Sequence, residues 1–137
     1  MTEKLEIYKC PICGNIVQIL NAGEGELVCC GQAMEKLTPQ YEENELGEKH
    51  VPETVTAWDG CDSGMCNERK FVILDKHPMV PEHYIQFIEV YKKDLSEIRI
   101  RFFKPEEKAE YEISDLYGDI QTLEHCNIHG LWRGKNG

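Results

Sequence analysis

The sequence predicts a mainly β chain in two parts, a small cysteine-bearing module over residues 1–37 and an antiparallel β-sandwich over residues 38–137. Three observations carry this. Six short runs rich in β-branched and aromatic residues, the clearest alternating at period two, are separated by turn-like clusters. Four of the seven cysteines fall within the first 30 residues. At 137 residues, the chain has room for one ordinary domain, or for a small module plus one of about a hundred residues.

The first element is YKCPICGNIV, in which Cys10 and Cys13 form Cys-x-x-Cys; the adjacent Cys29 and Cys30 follow. Four thiolates and no histidine suggest a closed tetrahedral site for iron or zinc, because soft sulfur ligands select those metals. With every position filled by protein, such a site can hold structure or pass electrons but cannot bind substrate. A segment below about 40 residues rarely buries enough surface to fold without a staple. Disulfides are the competing reading of the same cysteines. Seven cysteines cannot all pair within one chain, and MTEKLEIYKC is charged and lacks the apolar core of a secretory signal. The expectation is therefore a reducing, cytoplasmic compartment.

The strand candidates are NIVQIL (15–20), ETVTAW (53–58), KFVILD (70–75), YIQFIEVY (84–91), EIRIRFF (97–103) and AEYEI (109–113). LTPQYEENELGE (37–48), polar and acidic, reads as a linker between the two parts. Their spacing favours a sandwich that presents functional side chains from loops and strand ends at one rim.

Three short runs hold four of the five histidines: EKHVP (48–52), HPMVPEHYIQ (77–86) and CNIHGLW (126–132). Together they offer His50, His77, His83, His129 and Cys126. Four imidazoles and one thiolate exceed the four ligands of structural zinc and suit a square-pyramidal transition metal with a free sixth position. A ferrous ion there would carry a formal charge of about +1, which draws a small anion. The thiolate would push electron density toward whatever binds opposite it. Taken singly, each histidine is an ordinary core or surface residue; the spacing changes that. Prolines keep the 77–83 stretch from forming a helix, and Cys126 and His129 have the two-residue gap of a metal knuckle. His125, the neighbour of Cys126, should point away from it in an extended strand.

The formal net charge of −10 argues against nucleic acid, and no apolar run is long enough to span a membrane. Attraction of an anion must then be local. Lys49, Lys76, Arg133 and Lys135 lie close in sequence to the candidate ligands.

In their order, these motifs resemble the desulfoferrodoxin family of two-centre superoxide reductases, and the resemblance covers nearly the whole chain. It implies a desulforedoxin-like N-terminal domain with a mononuclear iron on Cys10, Cys13, Cys29 and Cys30. It implies an immunoglobulin-like sandwich holding a catalytic iron, with His50, His77, His83 and His129 equatorial and Cys126 axial. It further implies one-electron reduction of superoxide to hydrogen peroxide without dioxygen production, a homodimer, and a rubredoxin-like electron donor. Lys49 matches the lysine that steers superoxide, and Glu48 the glutamate that fills the sixth position in the oxidised form. The alternative is a non-catalytic iron electron-transfer protein. One stretch departs from the family pattern: WDGCDSGMCNERK adds Cys61 and Cys66 between His50 and His77. These read either as a redox-active pair or added metal ligands, or as a hairpin tip with two thiols or a simple disulfide.

Overall fold

The computed structural model describes residues 1–60, 64 and 66–135. It divides into two compact units, Met1–Thr38 and Pro39–Gly137.

In the first unit, β1 (Ile7–Lys9) is flanked antiparallel by β2 (Ile16–Gln18) and β5 (Glu35–Leu37). A separate two-residue hairpin joins β3 (Val28–Cys29) to β4 (Gln32–Ala33). These strands are too short to show periodicity in the sequence. They also enclose very little, since Ile7 and Cys10 are the unit's only buried apolar side chains, while Ile12, Leu20 and Val28 stand exposed. Folding such a unit needs something other than hydrophobic burial.

The second unit opens with one helix, α1 (Glu45–His50), followed by β6 (Glu53–Asp59), β7 (Asn67–Ile73), β8 (Ile85–Lys92), β9 (Ile98–Phe102), β10 (Glu110–Glu112), β11 (Ile120–Cys126) and β12 (Gly130–Arg133). The strands form two antiparallel sheets, in the orders β10-β7-β6 and β12-β11-β8-β9. This is the three-plus-four partition of an immunoglobulin-like sandwich. Both sheets feed one core: Val72 from β7 meets Ile88 and Val90 from β8, and Ile113, Leu116 and Cys126 close it. Burying each large aliphatic contributes about 1.5–3 kcal/mol. On β9 the alternation runs opposite to simple burial. Arg99 and Arg101 pair with Val90 and Ile88, while Ile100 and Phe102 are exposed. Glu97 and Asp115 hold the Arg99 guanidinium, and an inward charge of this kind guards an edge strand against unwanted pairing.

Two parts of the sequence reading need correction. Residues 40–48 are not a free linker, because Gln40 pairs with Trp132 of β12 and Asn44 caps α1. The chain also carries a helix where only strands were expected. The local signals for it are present: the Asn44 side chain accepts from Gly47 N, Glu45 and Glu48 lie in the first turn, and Lys49 and His50 in the last.

Gly47 makes that helix possible. A Cβ at this position would lie 1.8 Å from the Glu42 carbonyl oxygen. Gly→Ala inside a helix ordinarily gains about 0.5–1 kcal/mol, but here the clash with backbone reverses the sign. Gly47→Ala should lower the thermal midpoint, by an amount corresponding to about 1–3 kcal/mol, and loosen whatever His50 holds. Differential scanning calorimetry of the variant beside wild type checks this.

Candidate metal centres

Two knuckles of the same design present ligands, one in each unit. In the first, Cys13 N–H donates to Cys10 Sγ at 3.4 Å, and Gly14 follows with φ 83°. In the second, His129 N–H donates to Cys126 Sγ at 3.4 Å, and Gly130 follows with φ 81°. Each loop turns back through a left-handed glycine after aiming a backbone N–H at sulfur; at Cys126 burial pushes the thiol up and this N–H only partly offsets it.

In the first unit the four sulfurs of Cys10, Cys13, Cys29 and Cys30 lie within 4.8 Å of one another. Cys13 Sγ is 3.5 Å from Cys29 Sγ, which is 4.0 Å from Cys30 Sγ. Metal–sulfur bonds of about 2.3 Å in a tetrahedron set sulfurs about 3.8 Å apart, so the cluster fits a four-thiolate ion. The acidities show why the ion is needed. Backbone donation from Cys13 pulls the Cys10 thiol down to about 6, whereas crowding by Cys13 and its fellow sulfurs pushes Cys30 up to about 12. Four thiolates cannot coexist there without a cation between them.

The second cluster draws on three parts of the sandwich. His50 ends α1, His77 and His83 lie in the segment between β7 and β8, and Cys126 and His129 flank the β11–β12 turn. Val80 and His83 pair backbone to backbone in a tight turn, and Asn127 ties that turn to the knuckle. Its Oδ1 accepts from Tyr84 N, and its Nδ2 donates to Glu82 O. The pairing of β11 with β8 shifts register between His125 and Cys126, a bulge at the site's edge of the sheet.

The four imidazoles stand at the corners of a square. Ring centroids around it are separated by 4.7 Å (His50–His77), 4.6 Å (His77–His83), 5.0 Å (His83–His129) and 4.7 Å (His129–His50), and the His50–His83 diagonal is 6.2 Å. Nε2 of His50 and His77 are 3.2 Å apart, and His83 Nε2 is 3.3 Å from His129 Nδ1. Ligands at right angles on bonds of about 2.1 Å sit about 3 Å apart, so these corners fit one central ion. The ligand atoms of His50, His83, Cys126 and His129 all fall within 4.8 Å of one another, and Cys126 Sγ is 3.9 Å from His129 Nδ1.

Tautomers follow from the partners. His50 Nδ1 is 2.8 Å from the Leu46 carbonyl and His77 Nδ1 is 2.6 Å from the Pro78 carbonyl. Carbonyls only accept, so both Nδ1 atoms carry the proton and both Nε2 atoms offer a lone pair. Burial first, and neighbouring imidazoles after it, lowers His50 and takes His77 down to about 4, so the rings are neutral ligands at pH 7. Burial likewise lowers His83, with the charges of His129 and Lys49 adding to the effect. Cys126 and His50 are fully buried, whereas His83 and His129 are half-buried and Glu48 and Lys49 are exposed. The cluster thus runs from a buried side at Cys126 and His50 to a partly exposed side at His83 and His129. Glu48 reaches Lys76 Nζ at 3.9 Å.

His125 turns from the cluster, with Nδ1 2.6 Å from Gln86 Oε1 and its ring stacked on Phe87. Cys66 is disulfide-bonded, and Cys61 lies outside the described residues. Residues that sequence reasoning passed over also touch the cluster. Trp132, inside the CNIHGLW run, stacks on His50, and Gln40 and Asn127 brace the surrounding turns.

Comparison with known proteins now adds the relationship. Residues 2–37 match the family model described as "Desulfoferrodoxin, N-terminal domain", and residues 42–135 match the model "Desulfoferrodoxin". The desulfoferrodoxin of Desulfarculus baarsii is 40% identical over 136 residues, spanning 99% of this chain and 100% of its own length. Desulforedoxin of Megalodesulfovibrio gigas is 47% identical over 36 residues, 26% of this chain and 97% of its own. In fold, the superoxide reductase of Treponema pallidum aligns with a TM-score of 0.66 and 20% identity, covering 98% of this chain and 100% of that one. With both units matched in order, the chain belongs to the desulfoferrodoxin family.

Proposed function

We propose that this chain is a superoxide reductase, taking superoxide, one electron and two protons to hydrogen peroxide with no release of dioxygen. The observation that carries the reading is the square of four imidazoles with a buried cysteine beside it and two half-buried corners. His50, His77, His83, His129 and Cys126 would hold an iron ion, which would supply the electron and an open position for a small anion. Cys126 donates charge from the buried side, and the His129 N–H moderates that donation. Lys49 provides local positive charge at the mouth of an otherwise acidic protein, which concentrates superoxide there. Solvent at the open face supplies the protons. Glu48, next to Lys49 on α1, would offer its carboxylate as a ligand to the oxidised iron.

The reading extends to the first unit and to partners. Cys10, Cys13, Cys29 and Cys30 hold a second iron, for which zinc can substitute; the tetrahedral spacing supports either metal. A rubredoxin-like protein returns the electron. A second copy of this chain completes a homodimer, for which exposed Ile100 and Phe102 on the edge strand β9 offer apolar surface. Among the described residues five cysteines are free and Cys66 is disulfide-bonded; the five free thiols suit a reducing cytoplasm.

Opposite charges at adjacent positions provide the test. Lys49→Ala should slow the second-order reaction of the reduced protein with superoxide by about 10-fold or more, and added salt should slow wild type but affect the variant less. Glu48→Ala should leave that encounter nearly unchanged and alter the spectrum of the oxidised protein and its pH dependence. Stopped-flow mixing reads both variants. Slow oxidation that ignores Lys49 and salt would instead fit an electron carrier whose histidine centre does no chemistry.

A further inference from the structure

Trp132 touches two corners of the histidine square from outside it. Its side chain is fully buried, and its indole stacks on the His50 ring at a centroid distance of 4.9 Å and an interplanar angle of 22°. Its Nε1–H donates to the His129 carbonyl at 3.1 Å. That carbonyl has a second donor, Gln40 Nε2 at 2.7 Å, which also lies 3.3 Å from the Leu131 carbonyl. Gln40 is itself held by the backbone: its N–H donates to Leu131 O at 2.9 Å, and its carbonyl accepts from Arg133 N at 3.0 Å. A Cβ on Gly130 would approach Gln40 Nε2 to 3.3 Å, so the residue after His129 leaves room for this amide.

We infer that Gln40 and Trp132 are paired positioning residues that fix the adjacent ligands His50 and His129, which arrive from α1 and from the β11–β12 turn. His129 immediately precedes the left-handed Gly130 and offers Nδ1, so a small rotation of its peptide swings the ligand atom. Two donors on one carbonyl resist that rotation, while the stacked indole keeps the His50 ring in its plane. Gln40 has a further consequence. It lies near the start of the second unit, so that unit's first residues are hydrogen-bonded directly to the backbone of a ligand. The inference rests on the His/Cys cluster being a metal site.

Co2+ titration of the full-length apoprotein tests it, with visible absorption as the geometric probe. The relevant binding step is the one that Cys126→Ser abolishes, which separates it from the four-cysteine site. Trp132→Phe keeps the stack and removes one donor; Gln40→Met removes the other at an exposed position. Each should weaken this step a few-fold. The double variant, leaving the carbonyl without either donor, should weaken it by about 10-fold or more, beyond the product of the singles, and shift the absorption bands. Thermal unfolding of the apoproteins provides the control, because a merely structural role lowers stability without moving the bands of the loaded site. Wild-type affinity and an unshifted spectrum in the double variant would overturn the inference. So would additive losses that follow apoprotein stability. If wild type shows no Co2+ step sensitive to Cys126→Ser, the reading of the cluster fails, whatever Gln40 and Trp132 do.

Discussion

Cys126→Ser should leave a folded protein that no longer reduces superoxide. Cys126 Sγ is fully buried under the histidine square and receives the His129 N–H, and serine would place a harder, shorter and less donating group there. The sulfur-to-metal charge-transfer absorption should vanish. The rate should fall by more than the roughly 10- to 100-fold that loss of an outer-layer partner costs a metal site, because a ligand itself is gone. The apoprotein fold should survive, since cysteine to serine removes little volume from a core that also contains Val72, Ile88, Val90 and Ile113. Absorption spectra and rapid mixing check the variant together. An unchanged spectrum would remove Cys126 from the ligand set.

Removing metal from the four-cysteine site should unfold the first unit and spare the second. Ile7 and Cys10 are its only buried apolar side chains, too few to hold a unit of 38 residues together unaided. A structural zinc site of comparable size contributes about 10–16 kcal/mol, which makes the ion the dominant stabilising interaction. Cys13→Ser should act in the same direction without emptying the histidine centre, because the two ligand sets share no residue. Amide hydrogen exchange reads both effects. Protection of residues 7–9 should be lost in Cys13→Ser, with β8 and β11 still protected. Retained protection in the first unit would show that it folds without its ion.

The ligands were legible because metal chemistry constrains residue type and spacing more tightly than packing does. Cys-x-x-Cys and Cys-x-x-His are short loops whose geometry is local, so sequence carries them almost completely. Two strands were readable for other reasons: β6, largely exposed, alternates in ETVTAW, and β8, though covered on both faces, stands out as the β-branched and aromatic run YIQFIEVY. β11 was not, since IQTLEHC is buried almost throughout, and an element covered on both faces has no alternation to read. The three-residue β1 was too short to carry a pattern. α1 was hidden because its six residues fall short of two turns and its support comes from the close approach of Glu42 to Gly47 and from the distant knuckle residue His129 beside His50. Gln40 and Trp132 are legible only in three dimensions, for their shared partner is a backbone carbonyl 89 residues from Gln40.

The central claim is tested most directly by counting products. Fully reduced protein, mixed anaerobically with a known pulse of superoxide, should yield one hydrogen peroxide per superoxide consumed, lose one electron from the histidine-bound iron each time, and release no dioxygen. Sustained consumption without added reductant, with half a peroxide and half a dioxygen formed per superoxide, would make the chain a dismutase and contradict the account.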